Sequence, residues 1–271
     1  MTSMKNLPWL SKLVLALAVL LPVHFVVAAL GTKIGLWDWQ MGLGVLTFGA
    51  GLVLVSIVAL IALVALILAV FKKPRRKGAM IAALIGLLVP GSIALWGASA
   101  AGIAADNPIH DVSTDTANPP VFSAATVAAR DAEDANPLND YSVPLNQLES
   151  WSSLESDNPL ASQSHTEIIA ERYGDLLPLD TDGASARDVM GIAMEVMFAN
   201  GIRDITISED ETSAEGVFTS FWYEFEDDFV IRYQNGQLDF RSVSRVGTSD
   251  LGANATRIAK VREELAARLA E

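Results

Sequence analysis

The chain has 271 residues, a formal net charge of −13 and no cysteine. The absence of cysteine excludes disulfide bonds, thiolate catalysis and cysteine-ligated zinc or iron–sulfur centres. Hydrophobic residues make up 51% of the chain and the mean hydropathy is +0.34, which is too apolar for an ordinary soluble protein.

The charge is divided unevenly along the chain. Residues 1–104 contain eight basic residues and one acidic residue, for a net charge of +7, whereas residues 105–271 contain 11 basic and 31 acidic residues, for a net charge of −20. An acidic region of this size repels nucleic acid and anionic lipid headgroups. We therefore expect no nucleic-acid partner and two regions in different physical environments.

Three apolar runs in the first region predict membrane spans. About 20 residues in a helix cross the hydrocarbon core of a bilayer, and the second run is long enough to tilt or to extend beyond it. The first run is a poor signal peptide, because its small-residue stretch is a weak cleavage site and two more spans follow. The predicted spans are Leu10–Leu30, Met41–Phe71 and Ala79–Ala104.

The basic residues of the short loops predict the orientation. The densest cluster, Lys72–Lys77, lies between the second and third spans, and cytoplasmic loops are enriched in lysine and arginine. Lys5 and Lys12 then also lie inside. We expect a multi-pass protein of the inner (cytoplasmic) membrane, with a cytoplasmic N-terminus and a periplasmic or otherwise extracytoplasmic C-terminal domain.

Two features of the spans suggest helix contacts. His24 is the single ionisable residue deep in a span, so we interpret it as a neutral histidine that hydrogen-bonds to a neighbouring helix. Small residues in the second span permit close helix packing, either among the three helices or with a second copy or a partner helix. These small residues are Gly42, Gly44, Gly49 and Gly51.

Asn235-Gly236, between two alternating runs, predicts a β-hairpin with a two-residue type I′ turn. This loop length fixes the pairing of the strands. One face is apolar and is predicted to face the core. Its predicted pairs are Tyr233 with Leu238, Ile231 with Phe240 and Phe229 with Ser242.

The other face of the hairpin carries charges of both signs, with Arg232 opposite Asp239 and Glu226 opposite Arg245. One interpretation is a self-complementary, solvated sheet face stabilised by cross-strand pairs. The other is an anion or carboxylate site built on Arg232, Arg241 and Arg245, since a guanidinium suits such ligands.

Elements on either side of the hairpin complete a predicted order of β-α-β-β-β-β-α over residues 173–271. This order favours an α+β fold: an antiparallel sheet with two helices packed on one face, after the N-terminal three-helix transmembrane region. The predicted strands and helices are Tyr173–Leu179, a helix from Ser185 to Asn200-Gly201, Ile202–Ser208, Glu215–Tyr223, the hairpin, and a last helix capped by Asp250.

Residues 105–172 are predicted to form a linker and an arm that wraps the compact domain. Weak helical patterns occur at 124–134 and 165–173, and His165 lies in a polar stretch typical of a surface residue. The loop from His110 to Asp115 is either structural, with Asp111 and Asp115 capping backbone amides, or an interaction loop. No second histidine cluster accompanies it, so we predict no metal and no cofactor.

The segment GTSDLGAN, which includes Asp250 and Asn254, opens the last helix with glycines and free amides. Such a helix start can bind anions, but an aspartate at the cap would repel them. A hydrolytic triad of Ser244, His110 and Asp250 lacks the G-x-S-x-G motif of a nucleophile elbow, so no catalytic residue is predicted.

Two longer motifs carry a family resemblance. Residues 110–122, HDVSTDTANPPVF, and residues 238–258, LDFRSVSRVGTSDLGANATRI, resemble the DUF1499 family, a group of membrane-associated or exported proteins without an assigned function. The resemblance covers roughly residues 106–270. It draws attention to the motif residues without giving them a role. The candidate binding residues are His110, Asp111, Asp115, Arg232, Arg241, Ser244, Arg245, Asp250 and Asn254.

The sequence leaves three hypotheses about function. The main one is a non-enzymatic envelope protein that displays an acidic extracytoplasmic binding or interaction domain. The second is an accessory subunit of a larger membrane complex, or a homo-oligomer, assembled through the spans. The third is a membrane-anchored enzyme that uses His110 and Asp111 together with Arg241 and Arg245, which requires these side chains to meet in an open pocket.

Overall fold

The computed structural model of the protein describes residues 7–73 and 76–270 and contains two compact units. Each unit has its own core and is described separately below. The first unit comprises Met1–Gly102 with Phe221–Glu224, and the second comprises Ile103–Ser220 with Phe225–Glu271.

The first unit contains three long apolar helices. They are α1 (Trp9–Lys33), α2 (Leu52–Phe71), which a π-helical segment at Gln40–Gly51 precedes without a break, and α3 (Lys77–Asp106). Each is long and apolar enough to cross a membrane. The three predicted spans are therefore helices. Lys5 and Arg75, which contribute to the predicted orientation, lie outside the described residues.

Contacts within this unit explain two features of the spans. His24 Nε2 is 2.8 Å from the carbonyl oxygen of Leu46, which confirms the predicted hydrogen bond to a neighbouring helix. A Cβ added at Gly51 would lie 2.6 Å from the ring of Phe25, so the π-helical segment approaches α1 closely there. The predicted homo-oligomer or partner helix stays a prediction.

The second unit is an α+β domain with short helices in its N-terminal arm. The helices are α4 (Ala124–Ala132), α5 (His165–Arg172), α6 (Ala186–Ala199) and α7 (Ala253–Leu269). The strands are β1 (Asp111–Ser113), β2 (Leu179–Asp180), β3 (Ile202–Ile207), β4 (Ser213–Thr219), β5 (Glu226–Gln234) and β6 (Gln237–Ser244). The predicted β-α-β-β-β-β-α order is observed from β2 to α7.

The strands form one antiparallel sheet in the order β1-β6-β5-β4-β3, and β2 also pairs with β6. The β5–β6 hairpin has the predicted register, with Ile231 opposite Phe240. Asn235 and Gly236 have φ values of 54° and 79°, as a type I′ turn requires. The local sequence therefore fixes the pairing of the two central strands.

Helices α6 and α7 cover the apolar face of the sheet and enclose the main core. Phe229, Ile231 and Phe240 contribute from the sheet, and Met197 and Ile258 contribute from the helices. Ser185 caps α6 by accepting a hydrogen bond from the backbone amide of Asp188, as predicted. The α+β fold with both helices on one face is thus as the sequence predicts.

The opposite face of the sheet is not solvated, which corrects the interpretation of its alternating charges. Phe122 and residues of the arm cover Val230 and Val243 on this face. Asp228 and Arg241 are accordingly buried. The charges of this face are therefore enclosed by the arm.

Three local predictions also differ from the structure. The first strand of the domain is only Leu179–Asp180. Strand β4 ends at Thr219, so Phe221 and Trp222 lie in the following turn. The three methionines of α6, Met190, Met194 and Met197, are predicted from the sequence to fill the core, but Met194 is exposed.

Candidate functional site

Asp111 and Arg241 form a buried bidentate ion pair. Strand β1 pairs with β6 so that Ser113 lies opposite Arg241. Arg241 Nε donates to Asp111 Oδ1 at 3.0 Å, and Nη2 donates to Oδ2 at 2.7 Å. The third guanidinium nitrogen, Nη1, donates to the carbonyl of Pro120 at 3.2 Å. Because two parallel charge-assisted bonds fix both groups, the pair ties the linker to the central sheet.

Tyr141 completes this pair. Its hydroxyl donates to the Asp111 carboxylate, and the Arg241 guanidinium lies 5.3 Å from the centre of its ring. Burial alone raises the pKa of Asp111, but the charge and hydrogen bonds of Arg241 outweigh burial and hold that pKa below its usual value. Burial and the Asp111 charge raise the pKa of Tyr141 well above its usual value, so the phenol remains a donor.

Asp228 joins two arginines on the same face of the sheet. Arg245 donates to its carboxylate through Nε at 3.1 Å and Nη2 at 2.8 Å, and Arg130 Nη1 donates to it as well. Arg245 Nη1 also donates to Glu133 at 2.7 Å and to Glu226. Arg130 lies on α4, so Asp228 holds the arm helix against the sheet. These ion pairs and the Asp111–Arg241–Tyr141 group are called the buried charge network.

Arg232 lies at the margin of this face and contacts two carboxylates. Its Nη2 donates to Asp239 at 2.9 Å and to Asp115 at 3.1 Å. The other oxygen of Asp115 accepts the backbone amides of Ala117 and Asn118 at 3.1 and 3.0 Å. Asp115 therefore forms the predicted cap. Asp111 does not, because it lies in β1 and pairs with an arginine.

Asn254 connects the start of α7 to the sheet and the linker. Its side-chain amide donates to the carbonyl of His110 at 2.8 Å and to Ser244 Oγ at 3.0 Å, and its Oδ1 accepts from Ser242 Oγ at 2.6 Å. Asp250 accepts the backbone amides of Gly252 and Asn254, both at 2.8 Å, but the residue at the N-cap position of α7 is Gly252 and not Asp250, which the sequence predicts there. The Ser244 backbone amide also donates to the His110 carbonyl at 2.9 Å, so these contacts of His110 are made by its backbone and not by its imidazole.

His110 and His165 lie in the core beside Trp151. The ring centres of His110 and Trp151 are 5.0 Å apart and stacked, and those of His165 and Trp151 are 5.2 Å apart in an edge-on arrangement. Neither imidazole has a hydrogen-bond partner for its ring nitrogens among the described residues. Burial lowers the pKa of each to about 4, so both are neutral near pH 7. The predicted surface position of His165 is wrong.

The candidate arginines already pair with carboxylates of the same domain. Arg232, Arg241 and Arg245 each donate to at least one carboxylate, so an anionic ligand would have to displace an existing partner. Within residues 7–73 and 76–270, no group of three histidine, aspartate or glutamate side chains is arranged to hold a metal ion. The geometry is that of a structural network that joins the linker, the arm and the sheet.

Sequence reasoning missed several members of this network. Arg130 lies in a weakly helical segment of the arm, and nothing local relates it to Asp228. Arg257 donates to Asp227 at 2.7 Å from the first turns of α7, again over a long sequence distance. Tyr141 and the preceding Asn136-Pro137-Leu138 resemble a third stretch of the DUF1499 family, and this resemblance could have drawn attention to Tyr141.

These features define the class of the protein: an α+β domain with a buried charge network, preceded by three helices suited to crossing a membrane. The family model described as "Protein of unknown function (DUF1499)" matches residues 111–265. Because the match covers more than half of the chain, the chain belongs to the DUF1499 family. No curated protein and no solved structure matches the chain.

Proposed function

We propose that this protein is a non-enzymatic membrane protein of the cell envelope whose DUF1499 domain binds another protein outside the cytoplasm. The observation that carries the proposal is an exposed apolar groove between α6 and β3. The basic loop between α2 and α3 supports the orientation, because such loops stay in the cytoplasm and the chain after α3 then emerges on the other side.

The buried charge network supports a binding role over a catalytic one. A catalytic acid, base or nucleophile must reach its substrate, directly or through one water molecule. Asp111 and His110 are buried, and Arg241 is 5% exposed. These three side chains, which the enzyme hypothesis requires, are therefore inaccessible to a substrate. They instead contribute to the stability of the domain.

The groove has the properties of a protein-binding surface. It encloses about 450 Å³, and its floor is apolar. Phe198 is 60% exposed and Met194 is 41% exposed, and both line the groove. Exposed apolar side chains that lie together, rather than singly, are a feature of interaction surfaces. The residues that line the groove are Met194, Glu195, Phe198, Arg203, Asp204 and Ile205.

Phe198 is held in place before any partner binds. The guanidinium of Arg203 lies 4.2 Å from the centre of the Phe198 ring, and Arg203 Nη1 donates to the Phe198 carbonyl at 2.8 Å. A fixed aromatic side chain loses little conformational entropy on binding, so it is suited to be the anchor of an interface.

Charge and strand geometry indicate the kind of partner. The region after residue 104 has a net charge of −20, and Glu195 and Asp204 flank the groove, so a basic protein surface with an apolar side chain fits it. Strand β3 is at the edge of the sheet, but its register shifts between Arg203 and Thr206. Such a bulge hinders the addition of a partner strand, so we propose side-chain docking.

Replacement of Phe198 by serine is expected to weaken the complex. Loss of an aromatic anchor costs about 2 kcal/mol or more, which corresponds to roughly 30-fold in affinity. The measurement is capture of partners by the full-length protein in mild detergent, compared between the wild type and Phe198→Ser. The expected result is that the basic partner is lost from the variant.

Val121→Ser is the matched control, because Val121 is 75% exposed on the arm, away from the groove residues in sequence and in the fold. It should retain the partner. If both variants capture the same proteins as the wild type, the groove is not the binding surface. A partner that persists in all three samples would instead favour assembly through the spans, as in an accessory subunit.

A further inference from the structure

The turn between β4 and β5 differs in chemistry from the other two hairpin turns of the domain. It presents Phe221 and Trp222, which are 64% and 50% exposed. The β3–β4 turn instead contains Glu209 and two further acidic residues, and the β5–β6 turn is Asn235-Gly236. Two large aromatic side chains that are exposed side by side at a turn of a strongly acidic region indicate an interaction site.

The aromatic turn is ordered by contacts within it and by Lys33 of the first unit, to which residues 221–224 also belong: Lys33 Nζ lies 5.4 Å from the centre of the Phe221 ring and 3.3 Å from Glu224 Oε1. The backbone amide of Ser220 donates to the carbonyl of Phe225 at 2.8 Å, and the Phe225 amide donates to Ser220 Oγ at 2.8 Å. The rings of Phe221 and Trp222 contact each other edge to face, with centres 4.8 Å apart. The turn therefore presents a preformed aromatic surface.

The register of the sheet places this turn at the end where the chain enters the domain from α3. One row across the sheet aligns Asp111 with Val243, Val243 with Asp228 and Asp228 with Val217. From this row, the residues before β1 and the residues after β4 extend toward the same end of the sheet. The two polar hairpin turns lie at the opposite end of the sheet.

The linker is short. Helix α3 ends at Asp106 and β1 begins at Asp111, so the connection reaches at most about 18 Å when fully extended. The connection along the chain therefore keeps the start of β1, at the same end of the sheet as the aromatic turn, within this distance of the end of α3. Tryptophan and other aromatic side chains prefer the interface between lipid and water, where an apolar ring and a polar group are both accommodated.

We propose that Phe221 and Trp222 insert into the lipid–water interface of the bilayer that α3 crosses. The domain is then held at the membrane at two points, through α3 and through the aromatic turn. The acidic charge of the domain disfavours anionic lipid, so the contact is with the interface of zwitterionic phospholipid. This inference requires only that the apolar helices cross a membrane and is independent of the protein-binding groove.

Because the chain contains no cysteine, a single introduced cysteine can be labelled at one chosen position. Full-length Trp222→Cys protein is labelled with a bimane fluorophore and placed in phosphatidylcholine nanodiscs that contain brominated acyl chains, which quench by contact. The label at position 222 is expected to lose emission. Leu95→Cys, on an exposed face of α3, provides the quenched reference, and Glu209→Cys, at the opposite end of the sheet, provides the unquenched one.

Phe221→Cys serves as a second probe in case the tryptophan is needed for folding of the turn. Quenching at position 221 or 222 with none at 209 supports the proposal. Emission at both positions that matches position 209 overturns it. Shielding from aqueous iodide without quenching by brominated lipid also overturns it, since that result means that protein covers the turn.

Discussion

Replacement of Arg241 by alanine is expected to lower the free energy of unfolding of the domain by roughly 3–5 kcal/mol, because it leaves the Asp111 carboxylate buried without its partner. Two charge-assisted hydrogen bonds, at 3.0 and 2.7 Å, are lost. For a domain of this size, the melting temperature should fall by roughly 6–20 °C. The measurement is thermal unfolding of the full-length protein in detergent, followed by tryptophan fluorescence.

Two comparisons separate this effect from a general loss of charge. Arg187 pairs with Glu211 at the surface, so Arg187→Ala should change the melting temperature little. Combining Asp111→Leu, Tyr141→Phe and Arg241→Met removes the three polar side chains together and leaves only the Pro120 carbonyl without its donor. This variant should recover part of the stability, since no buried charge is left unpaired. If Arg241→Ala melts like Arg187→Ala, the ion pair is not structural.

Acidification below about pH 6.5 is expected to destabilise the domain through its two buried histidines. His110 and His165 have pKa values lowered to about 4 by burial, whereas an unfolded histidine titrates near pH 6.5. Between these values the unfolded chain binds more protons than the folded domain, so stability falls as the pH falls. The loss is about 1.4 kcal/mol per pH unit for each histidine, or roughly 3 kcal/mol for each across the window.

The measurement is the melting temperature of the full-length protein between pH 7 and pH 4. His165→Phe keeps an aromatic ring beside Tyr141 and Trp151 and should reduce the slope by about half, because one of the two buried imidazoles no longer titrates. The remaining histidine, His24, lies in a span and is unchanged in this comparison. A pH profile that is flat over this range in the wild type would contradict the buried, neutral state of both imidazoles.

The features that the sequence predicts well are those set by local chemistry. The Asn235-Gly236 turn specifies its own backbone conformation, and a two-residue loop leaves only one register for the strands that flank it. The start of α6 follows from the Ser185 side chain, which accepts a nearby amide, and Asp250 accepts the Asn254 amide in the first turn of α7. Three apolar runs of sufficient length, two of them uncharged, give the apolar helices without reference to the rest of the fold.

The features that the sequence does not reveal depend on contacts between distant residues. Charges that alternate along β5 and β6 are typical of a solvated face, and only the arm, about 100 residues earlier, turns this face into a buried one. Asp228 and Arg130 are 98 residues apart in the chain. His165 lies among polar residues but is buried by Trp151 and Tyr141, which the local pattern does not indicate.

The sequence also does not reveal that the groove and the aromatic turn are exposed, because their apolar side chains follow patterns that are typical of buried residues. Met194 shares the apolar stripe of α6 with core residues, and the position of β3 leaves it in the groove. Trp222 continues the alternation of β4 but lies beyond the end of that strand. Both side chains follow a core pattern in the sequence, and the fold leaves them accessible to a partner or a lipid surface.

Site-specific photo-crosslinking in intact cells tests the central claim most directly. A photoreactive phenylalanine analogue replaces Phe198 in the groove in one strain and Val121 on the arm in a second strain. The expected result is a discrete adduct between position 198 and a basic protein, with no such adduct from position 121. The absence of an adduct at position 198, or the same adducts from both positions, would contradict the proposal that this domain binds a protein through the groove.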